Sequence, residues 1–249
     1  NAHPEYIRDI LTKYIPKETK LILNADDLIC CGIAPENPRV YFGIEKMDTD
    51  VTDCVNLIND LQICPQCHRR LEYEYRRYNH IGRAYCPHCG FKAPAYDYAG
   101  CHVDLDKMRI DVRDAAGIGH YRLLNESIFN IYNVVSAVAL LREIGYSHAQ
   151  IETFFAKLNI VGSRYDAETI GSRTLYRLLA KEKNAFATTR VFDYISGLDG
   201  DKEIILMNSC QGDMKHWSEN TCWLYDCDFE FLNQDNIKNI VLCGPRRFD

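Results

Sequence analysis

The sequence lacks any long hydrophobic run. None of its apolar stretches approaches the roughly 20 residues that a membrane-spanning helix requires. Its first ten residues, NAHPEYIRDI, do not have the layout of a signal peptide. We therefore expect a cytoplasmic protein.

An excess of positive charge is also missing, because the formal net charge is −6 at pH 7. This balance makes a general nucleic-acid binder an unfavourable interpretation. One local exception lies between residues 62 and 92, a segment that contains six basic side chains and only two acidic ones. This segment either contacts phosphate or is a solvated edge of the ribbon. The negative net charge of the whole chain favours the solvated edge. The six basic residues are Arg69, Arg70, Arg76, Arg77, Arg83 and Lys92.

Internal repeats, low-complexity tracts and flexible linkers are absent from the sequence as well. The 249 residues are 47% hydrophobic and 26% charged, which is ordinary for a soluble globular protein. A chain of this length can bury one large core or two medium ones.

The sequence does contain two CPxC motifs in the stretch CPQCHRRLEYEYRRYNHIGRAYCPHCGF. Cys64 and Cys67 form one pair, Cys86 and Cys89 form the other, and 18 residues separate the pairs. This spacing predicts a four-cysteine zinc site. Disulfides are the alternative, but 12 cysteines scattered through a chain without a leader fit a reducing compartment better.

Four thiolates complete a tetrahedral zinc shell and leave no position for water or substrate. The predicted zinc is therefore structural rather than catalytic. Three histidines lie near the motifs in sequence, and we interpret them as surface residues because the cysteines already suffice. They are His68, His80 and His88.

The hydrophobic periodicity predicts an α/β fold. A helix over residues 4–14 precedes a buried strand over residues 20–23 and a second strand, RVYFGI. After the cysteine motifs, alternating segments predict antiparallel strands, followed by helices over residues 130–143 and after the expected N-cap Ser147. Towards the end of the chain we expect a hairpin, a helix, and two parallel strands, KEIILMNS and NIVLCG.

Several motifs in their order along the chain resemble one family. LNADDL (23–28), the cysteine ribbon, FNIYNVVSAVALL (129–141), VGSR (161–164), CWLYDCDFEFL (222–232) and CGPRRFD (243–249) occur as in the MurT family. These proteins are the Mur-ligase-like subunits of lipid II isoglutaminyl synthase. The resemblance covers nearly the whole chain, and its specific combination is the zinc ribbon followed by the tryptophan-and-acid stretch of residues 222–232, which we expect to be a strand.

The resemblance implies an α/β fold in two parts. Residues 1–146 would be a partial Mur-ligase central domain with a four-cysteine zinc ribbon inserted at 62–101. Residues 147–249 would be a Rossmann-like C-terminal domain.

The resemblance also implies an activity and partners. Members of the family use ATP and Mg²⁺ to phosphorylate the α-carboxylate of D-glutamate in the lipid II stem peptide, at the inner face of the bacterial membrane. Ammonia from a GatD-like glutaminase then converts the acyl phosphate into D-isoglutamine. The chain would thus be part of a carbon–nitrogen ligase of peptidoglycan biosynthesis that takes glutamine as amido donor.

Nucleotide-side residues follow from the family's GxYNxYN pattern, whose asparagines match Asn130 and Asn133. Ser127 and Phe129 replace the family's glycine and first tyrosine. Asn130 is alternatively a helix N-cap. Arg164 of VGSR is the nearest match to a phosphate-contacting arginine.

Two further matches concern the C-terminal domain. Asn184 matches the asparagine of a family Asn-Pro turn, where it either approaches the nucleotide or caps the next helix. Asp226, with Asp228 and Glu230, matches the family's WDxDFE segment, which meets the glutaminase. Asn220, beside Glu219, stands where the family has an acid that orients the glutaminase histidine.

One element of the family pattern is missing, because the chain contains no G-x-x-x-x-G-K-[ST] loop for the phosphates. We expect a fragment of a longer protein, with a degenerate relative as the alternative, and we expect this chain alone to be inactive. The competing functional hypothesis is a zinc-ribbon module that binds RNA or protein on an inactive Mur-like scaffold.

Overall fold

The computed structural model describes residues 4–158, 165–180, 184–207 and 222–244. Three predicted site residues, Arg164, Glu219 and Asn220, lie outside these ranges. The chain divides into two compact units, an N-terminal unit over residues 2–160 and a C-terminal unit over residues 161–249.

The elements follow the predicted order with two differences. A short helix over Leu28–Cys31 was not predicted, and the expected strand over residues 222–232 was wrong, because this stretch forms two short 3-10 helices. In the N-terminal unit the elements are α1 (Pro4–Tyr14), β1 (Leu21–Asn24), α2 (Leu28–Cys31), β2 (Arg39–Ile44), β3 (Glu72–Tyr78), β4 (Ile81–Tyr85), β5 (Tyr98–Asp104), β6 (Arg109–Asp114), β7 (Gly117–Arg122), α3 (Ile128–Glu143) and α4 (His148–Ala156). In the C-terminal unit they are β8 (Tyr165–Ile170), β9 (Arg173–Leu178), α5 (Ala185–Ser196), β10 (Lys202–Met207), two short 3-10 helices (Cys222–Asp226 and Phe229–Leu232) and β11 (Ile237–Cys243).

The N-terminal unit is built on a mixed five-stranded sheet with the order β1-β2-β5-β6-β7. The pairs β1–β2 and β2–β5 are parallel, and the pairs β5–β6 and β6–β7 are antiparallel. The carboxyl ends of β1 and β2 therefore meet at one edge of the sheet. In parallel α/β sheets this edge is where ligands usually gather.

Helix α3 covers one face of this sheet. It begins after Ser127, whose side chain accepts a hydrogen bond from the Asn130 amide, so Asn130 is not the N-cap that the sequence offered as an alternative. The helix buries Val134, Val135 and Val138 against Ile110 and other sheet residues. Because these side chains are apolar and almost fully buried, they supply the main hydrophobic core of the unit.

Helix α4 lies in the N-terminal unit, whereas the expected boundary between residues 146 and 147 would place it in the C-terminal domain. Its N-cap is Ser147, as predicted, and a capping box with Gln150 completes its first turn. His148 contacts the buried Tyr121 hydroxyl of β7 and lies 3.1 Å from Asp114, which pairs with Arg142 of α3. This series of polar contacts connects α4 to the sheet.

The β3–β4 hairpin is inserted between β2 and β5 and lies beside the carboxyl ends of β1 and β2. The amide of Gly82 in β4 donates to the carbonyl oxygen of Asp26 after β1, at 2.9 Å. Tyr75 of β3 donates from its hydroxyl to the carbonyl oxygen of Ile44, the last residue of β2, at 2.9 Å. The expected ligand edge is therefore partly covered by the chain's own ribbon.

The C-terminal unit contains an antiparallel hairpin, β8–β9, and a parallel pair, β10–β11, as predicted. Its buried apolar cluster contains Ala185, Phe192, Ile204, Cys227 and Leu232. Asn184 accepts a hydrogen bond from the Ala187 amide at 3.0 Å and caps α5.

Candidate metal centre and carboxylate clamp

The four predicted cysteines converge at the open end of the β3–β4 hairpin. Two similar turns position them, in which the amide of His68 donates to the Cys64 carbonyl and the amide of Gly90 donates to the Cys86 carbonyl. His68 and Gly90 both adopt a positive φ, of 60° and 78°, which closes each turn on its pair of thiols.

The sulfur positions fit a tetrahedral zinc ion. The four Sγ atoms lie within 4.8 Å of one another, with Cys64 3.7 Å from Cys89 and Cys67 3.5 Å from Cys86. A tetrahedron of Zn–S bonds of about 2.3 Å has edges of about 3.8 Å, which matches these separations. Within the described ranges, no other group of histidine, cysteine or carboxylate side chains has ligand geometry.

The surroundings of Cys86 lower the pKa of its thiol. Burial raises its pKa, but hydrogen bonds from the backbone amides of Cys89 and His88 and from the thiols of Cys67 and Cys89 together bring the pKa down to about 7. A thiolate is the form that binds metal. Neighbouring thiolates would repel one another, and a divalent cation would relieve that repulsion.

A second polar centre lies at the turn end of the same hairpin, and we call it the carboxylate clamp. Two cationic side chains of the hairpin are enclosed by carboxylates from the turn after β1 and from the loop before β3. Its members are Arg77, His80, Asp26, Asp27, Asp50 and Asp60.

Arg77 is the centre of the clamp. Its side chain is only 4% exposed, and both Asp50 oxygens accept from its guanidinium, at 3.0 and 2.8 Å. It also donates to Asp26 at 3.3 Å and to the carbonyl oxygens of Ile44 and Glu45 at the end of β2. These acceptors hold the buried guanidinium in one orientation and offset the cost of burying its charge.

Asp26 is fully buried and accepts from three groups besides Arg77. Its oxygens accept from the Ile44 amide at 3.1 Å, the Tyr132 hydroxyl at 2.7 Å and the Tyr96 hydroxyl. Burial and the charge of Asp26 raise the pKa of Tyr132 well above its ordinary value, so its hydroxyl remains a donor. The clamp therefore connects β1, β2, the ribbon and α3.

His80 bridges the other two acids. Its Nδ1 lies 2.8 Å from Asp60 and its Nε2 lies 3.2 Å from Asp27, which also caps α2. Burial lowers its pKa, but the hydrogen bonds and charges of Asp27 and Asp60 raise it to about 9. The prediction that His80 is a surface residue was wrong, because its ring is buried between two carboxylates, whereas His68 and His88 are exposed.

The basic ribbon also differs from the sequence interpretation. Arg76 is buried, with its guanidinium 3.8 Å from the centre of the Tyr73 ring, and Arg77 belongs to the clamp. Arg83 donates to the carbonyl oxygens of Ala93 and Pro94. Three of the six basic side chains thus have internal structural partners, and the exposed ones are Arg69, Arg70 and Lys92.

The two asparagines expected at the nucleotide lie one turn apart on α3. Asn130 is buried, and its Nδ2 donates to the Asn125 carbonyl at 3.0 Å. Asn133 is exposed. Asn133 is therefore the more accessible of the two side chains.

The acid-rich segment of the C-terminal unit contains side chains of different accessibility. Asp226 and Glu230 are exposed, whereas Asp228 is buried and its backbone amide donates to the Thr189 hydroxyl at 3.0 Å. Trp223 is partly buried against the apolar cluster of this unit. Among these acids, Asp226 and Glu230 are the ones available to a partner.

A groove of about 630 Å³ lies in the N-terminal unit, lined by residues that include Asp97, Arg113, Asp114, Arg142 and Glu143. Its two arginines pair with acids, Arg142 with Asp114 and Arg113 with Glu45. None of the predicted site residues within the described ranges lines it.

The structure combines an α/β fold with a four-cysteine ribbon that fits a zinc site, and its fold is similar to those of solved peptide ligases. The chain is similar to a pseudomurein peptide ligase type C from Methanothermus fervidus, with a TM-score of 0.63 and 23% identity, over 82% of this chain and 39% of that one. It is also similar to MurF from Acinetobacter baumannii, with a TM-score of 0.56 and 12% identity, over 93% of this chain and 40% of that one.

Sequence comparison finds a more specific similarity. Residues 182–249 match the family model of the MurT ligase C-terminal domain. The MurT subunit of the glutamine-hydrolysing lipid II isoglutaminyl synthase of Staphylococcus aureus (strain COL) is 28% identical over 233 residues, which are 92% of this chain and 50% of that protein. The predicted resemblance to MurT is thereby confirmed, and the chain spans about half the length of this curated relative.

None of the described helices is long and apolar enough to cross a membrane.

Proposed function

We propose that this chain is part of the Mur-ligase-like subunit of a lipid II isoglutaminyl synthase. The observation that carries the proposal is the similarity to a MurT subunit over 92% of the chain, combined with the match of residues 182–249 to the MurT ligase C-terminal domain. The reaction would be ATP-dependent amidation of the D-glutamate α-carboxylate in the stem peptide, at the inner face of the bacterial membrane. Ammonia would come from a GatD-like glutaminase.

The chemistry requires activation because a carboxylate is a poor electrophile. ATP, with Mg²⁺, supplies a phosphoryl group that turns one carboxylate oxygen into a leaving group. Asn133 is exposed on α3 and is a candidate contact for the adenine. Arg164 remains a proposed phosphate contact. Asn184 caps α5 through its side-chain oxygen, which favours the structural interpretation of this residue.

The zinc would have no direct part in this reaction. Its four thiolate ligands complete a tetrahedral shell, and such a shell has no open position for a substrate. The role supported by the geometry is the stabilisation of the ribbon.

A partner surface would lie around the acid-rich segment. In a glutaminase of the Cys-His type, the histidine accepts the thiol proton only if its other nitrogen donates to a fixed acceptor. Asn220 or Glu219 would offer that acceptor, and the exposed Asp226 would lie at the same surface.

The test uses the full-length protein co-expressed with the glutaminase encoded beside it. We expect the two to co-purify. Replacing Asn220 and Glu219 together by alanine should lower glutamine hydrolysis in the complex at least tenfold without dissociating it. The matched control is the Arg69→Ala, Arg70→Ala double variant, which changes two exposed ribbon residues and should leave hydrolysis unchanged.

The competing module hypothesis expects the opposite pattern. No glutaminase would co-purify, and binding to RNA or another protein would disappear with Arg69 and Arg70. Because Arg76, Arg77 and Arg83 have internal partners, the basic surface available for this function is smaller than the sequence suggested.

A further inference from the structure

The β3–β4 hairpin places the metal centre and the carboxylate clamp at its opposite ends. Glu72 pairs with Tyr85 at the open end, directly before Cys86. Tyr78 pairs with Ile81 at the turn end, beside Arg77 and His80. The two centres therefore lie on one two-stranded unit, whose register shifts between Tyr73 and Arg76 and between Arg76 and Tyr78.

The hairpin between the two ends is closely packed. Tyr73 and Ala84, which pair across it, are buried in one cluster with Cys64 and Cys86. Further along, a Cβ atom at Gly82 would lie 2.2 Å from the Tyr75 carbonyl oxygen, so only glycine permits the observed approach of the strands. The hairpin therefore has little freedom to deform without affecting both centres.

The carboxylate clamp also contacts helix α3. The Tyr132 hydroxyl contacts both Asp26 and Arg77, and Tyr78 stacks edge-on against Phe129 in the first turn of α3, at 5.7 Å between ring centres. Tyr132 lies directly before Asn133 in the sequence. The orientation of the first half of α3 thus depends on where the hairpin places Arg77.

We propose that the ribbon is a coupling element: metal binding by the four cysteines fixes Arg77 against Asp26, Asp50 and Tyr132, and thereby fixes the first half of α3. Arg77 is then a positioning residue. The consequence for nucleotide contacts at Asn133 rests on the proposed function, but the coupling itself does not.

Coupling between two sites is reciprocal, so a change at the clamp must alter the affinity of the cysteines for zinc. The first experiment measures the zinc dissociation constant of the whole chain by competition with a chromophoric chelator. Arg77→Lys keeps the charge but loses the planar multidentate contacts. We expect zinc binding at least about fivefold weaker, the lower end of typical coupling.

The matched control is Arg70→Lys, the same substitution at an exposed ribbon position nearer to the cysteines in sequence. It should leave the zinc dissociation constant within about twofold of the wild-type value. A second variant, Tyr132→Phe, removes one hydroxyl of the clamp and keeps the ring, so it stays testable if Arg77→Lys does not fold. It should weaken zinc binding in the same direction. Unchanged zinc affinity in a folded Arg77→Lys or Tyr132→Phe protein would overturn the proposal.

The second experiment measures hydrogen exchange with and without zinc. Removal of zinc should raise amide exchange not only in residues 63–92 but also in the first half of α3, residues 128–135. Helix α5 in the other unit serves as internal control and should not change. Increased exchange confined to residues 63–92 would contradict the coupling. Neither experiment involves nucleotide, lipid or glutaminase, so its failure is distinguishable from failure of the proposed function.

Discussion

At one end of the β3–β4 hairpin four thiols surround a site for a cation, and at the other end two cationic side chains are enclosed by four carboxylates. A hairpin alone is only marginally stable, and the apolar cluster of this one is small. At both ends, charged groups and their partners stabilise the hairpin in place of a large hydrophobic core. They differ in origin, because the metal ligands lie on the hairpin's own flanks, whereas the clamp acids come from the turn after β1 and from the loop before β3.

This difference predicts how each centre fails. Removal of a metal ligand should release the ion, unfold the ribbon and loosen the first half of α3, because metal binding no longer contributes to the folding free energy. Removal of a clamp cation should in addition leave carboxylates buried without a counter-charge, which destabilises the sheet directly.

The largest effect is expected for Cys64→Ser, a buried ligand. The wild type should contain one zinc per chain and the variant none. The free energy of unfolding should fall by about 4 kcal/mol or more when zinc exceeds its dissociation constant a thousandfold. Elemental analysis and urea titration measure both quantities. Cys222→Ser, at an exposed cysteine of the other unit, is the control, and a metal-free wild type of equal stability would refute the zinc site.

Arg77→Ala should have the next largest effect. It leaves Asp26 and Asp50 buried without their partner, which typically costs about 3–5 kcal/mol. Arg70→Ala, at an exposed position, should change stability by no more than about 0.5 kcal/mol. Urea unfolding of both variants in saturating zinc separates the clamp from the metal, and equal stability of the two would show that the clamp contributes nothing.

His80 should make stability depend on pH. Its pKa is about 9 in the folded protein, above the ordinary value of about 6.5, so its contribution is fully present below pH 6.5 and is lost as the pH rises through 9. The contribution is on the order of 3 kcal/mol. Wild-type stability measured relative to His80→Gln should decline between pH 6.5 and pH 9. Parallel profiles of the two proteins would contradict a charged His80.

The smallest effect is expected for Ser147→Ala, which removes an ordinary helix cap away from both centres. The loss should be about 1 kcal/mol. The zinc dissociation constant and the pH dependence of stability should not change, because Ser147 does not contact the charged groups of the hairpin. A change in zinc affinity here would mean that affinity merely follows global stability, and the distinction between the two centres would fail.

The sequence was informative where the interactions are local. The four-cysteine centre follows from two short motifs, Ser147 and Asn184 lie directly before the helices that they cap, and alternation in residues 98–122 predicted the antiparallel strands. In each case the partners lie within a few residues of one another or follow a regular period.

The clamp could not be predicted because its partners are distant in sequence. Arg77 lies 51 residues from Asp26 and 55 residues from Tyr132. On the sequence alone, arginines and a histidine in a charged ribbon have the pattern of a solvated surface. The consecutive acids of LNADDL were the available signal, since two adjacent acids after a buried strand require cationic or amide partners once the strand is covered.

The most direct test of the proposed function is an amidation assay with the full-length protein, its glutaminase, lipid II, glutamine and ATP. The mass of the product's stem peptide is measured. We predict conversion of the D-glutamate carboxylate to the amide that requires both ATP and glutamine and that stops when the glutaminase is omitted. Absence of any ATP-dependent amide product from an assembled, zinc-loaded complex would contradict the account.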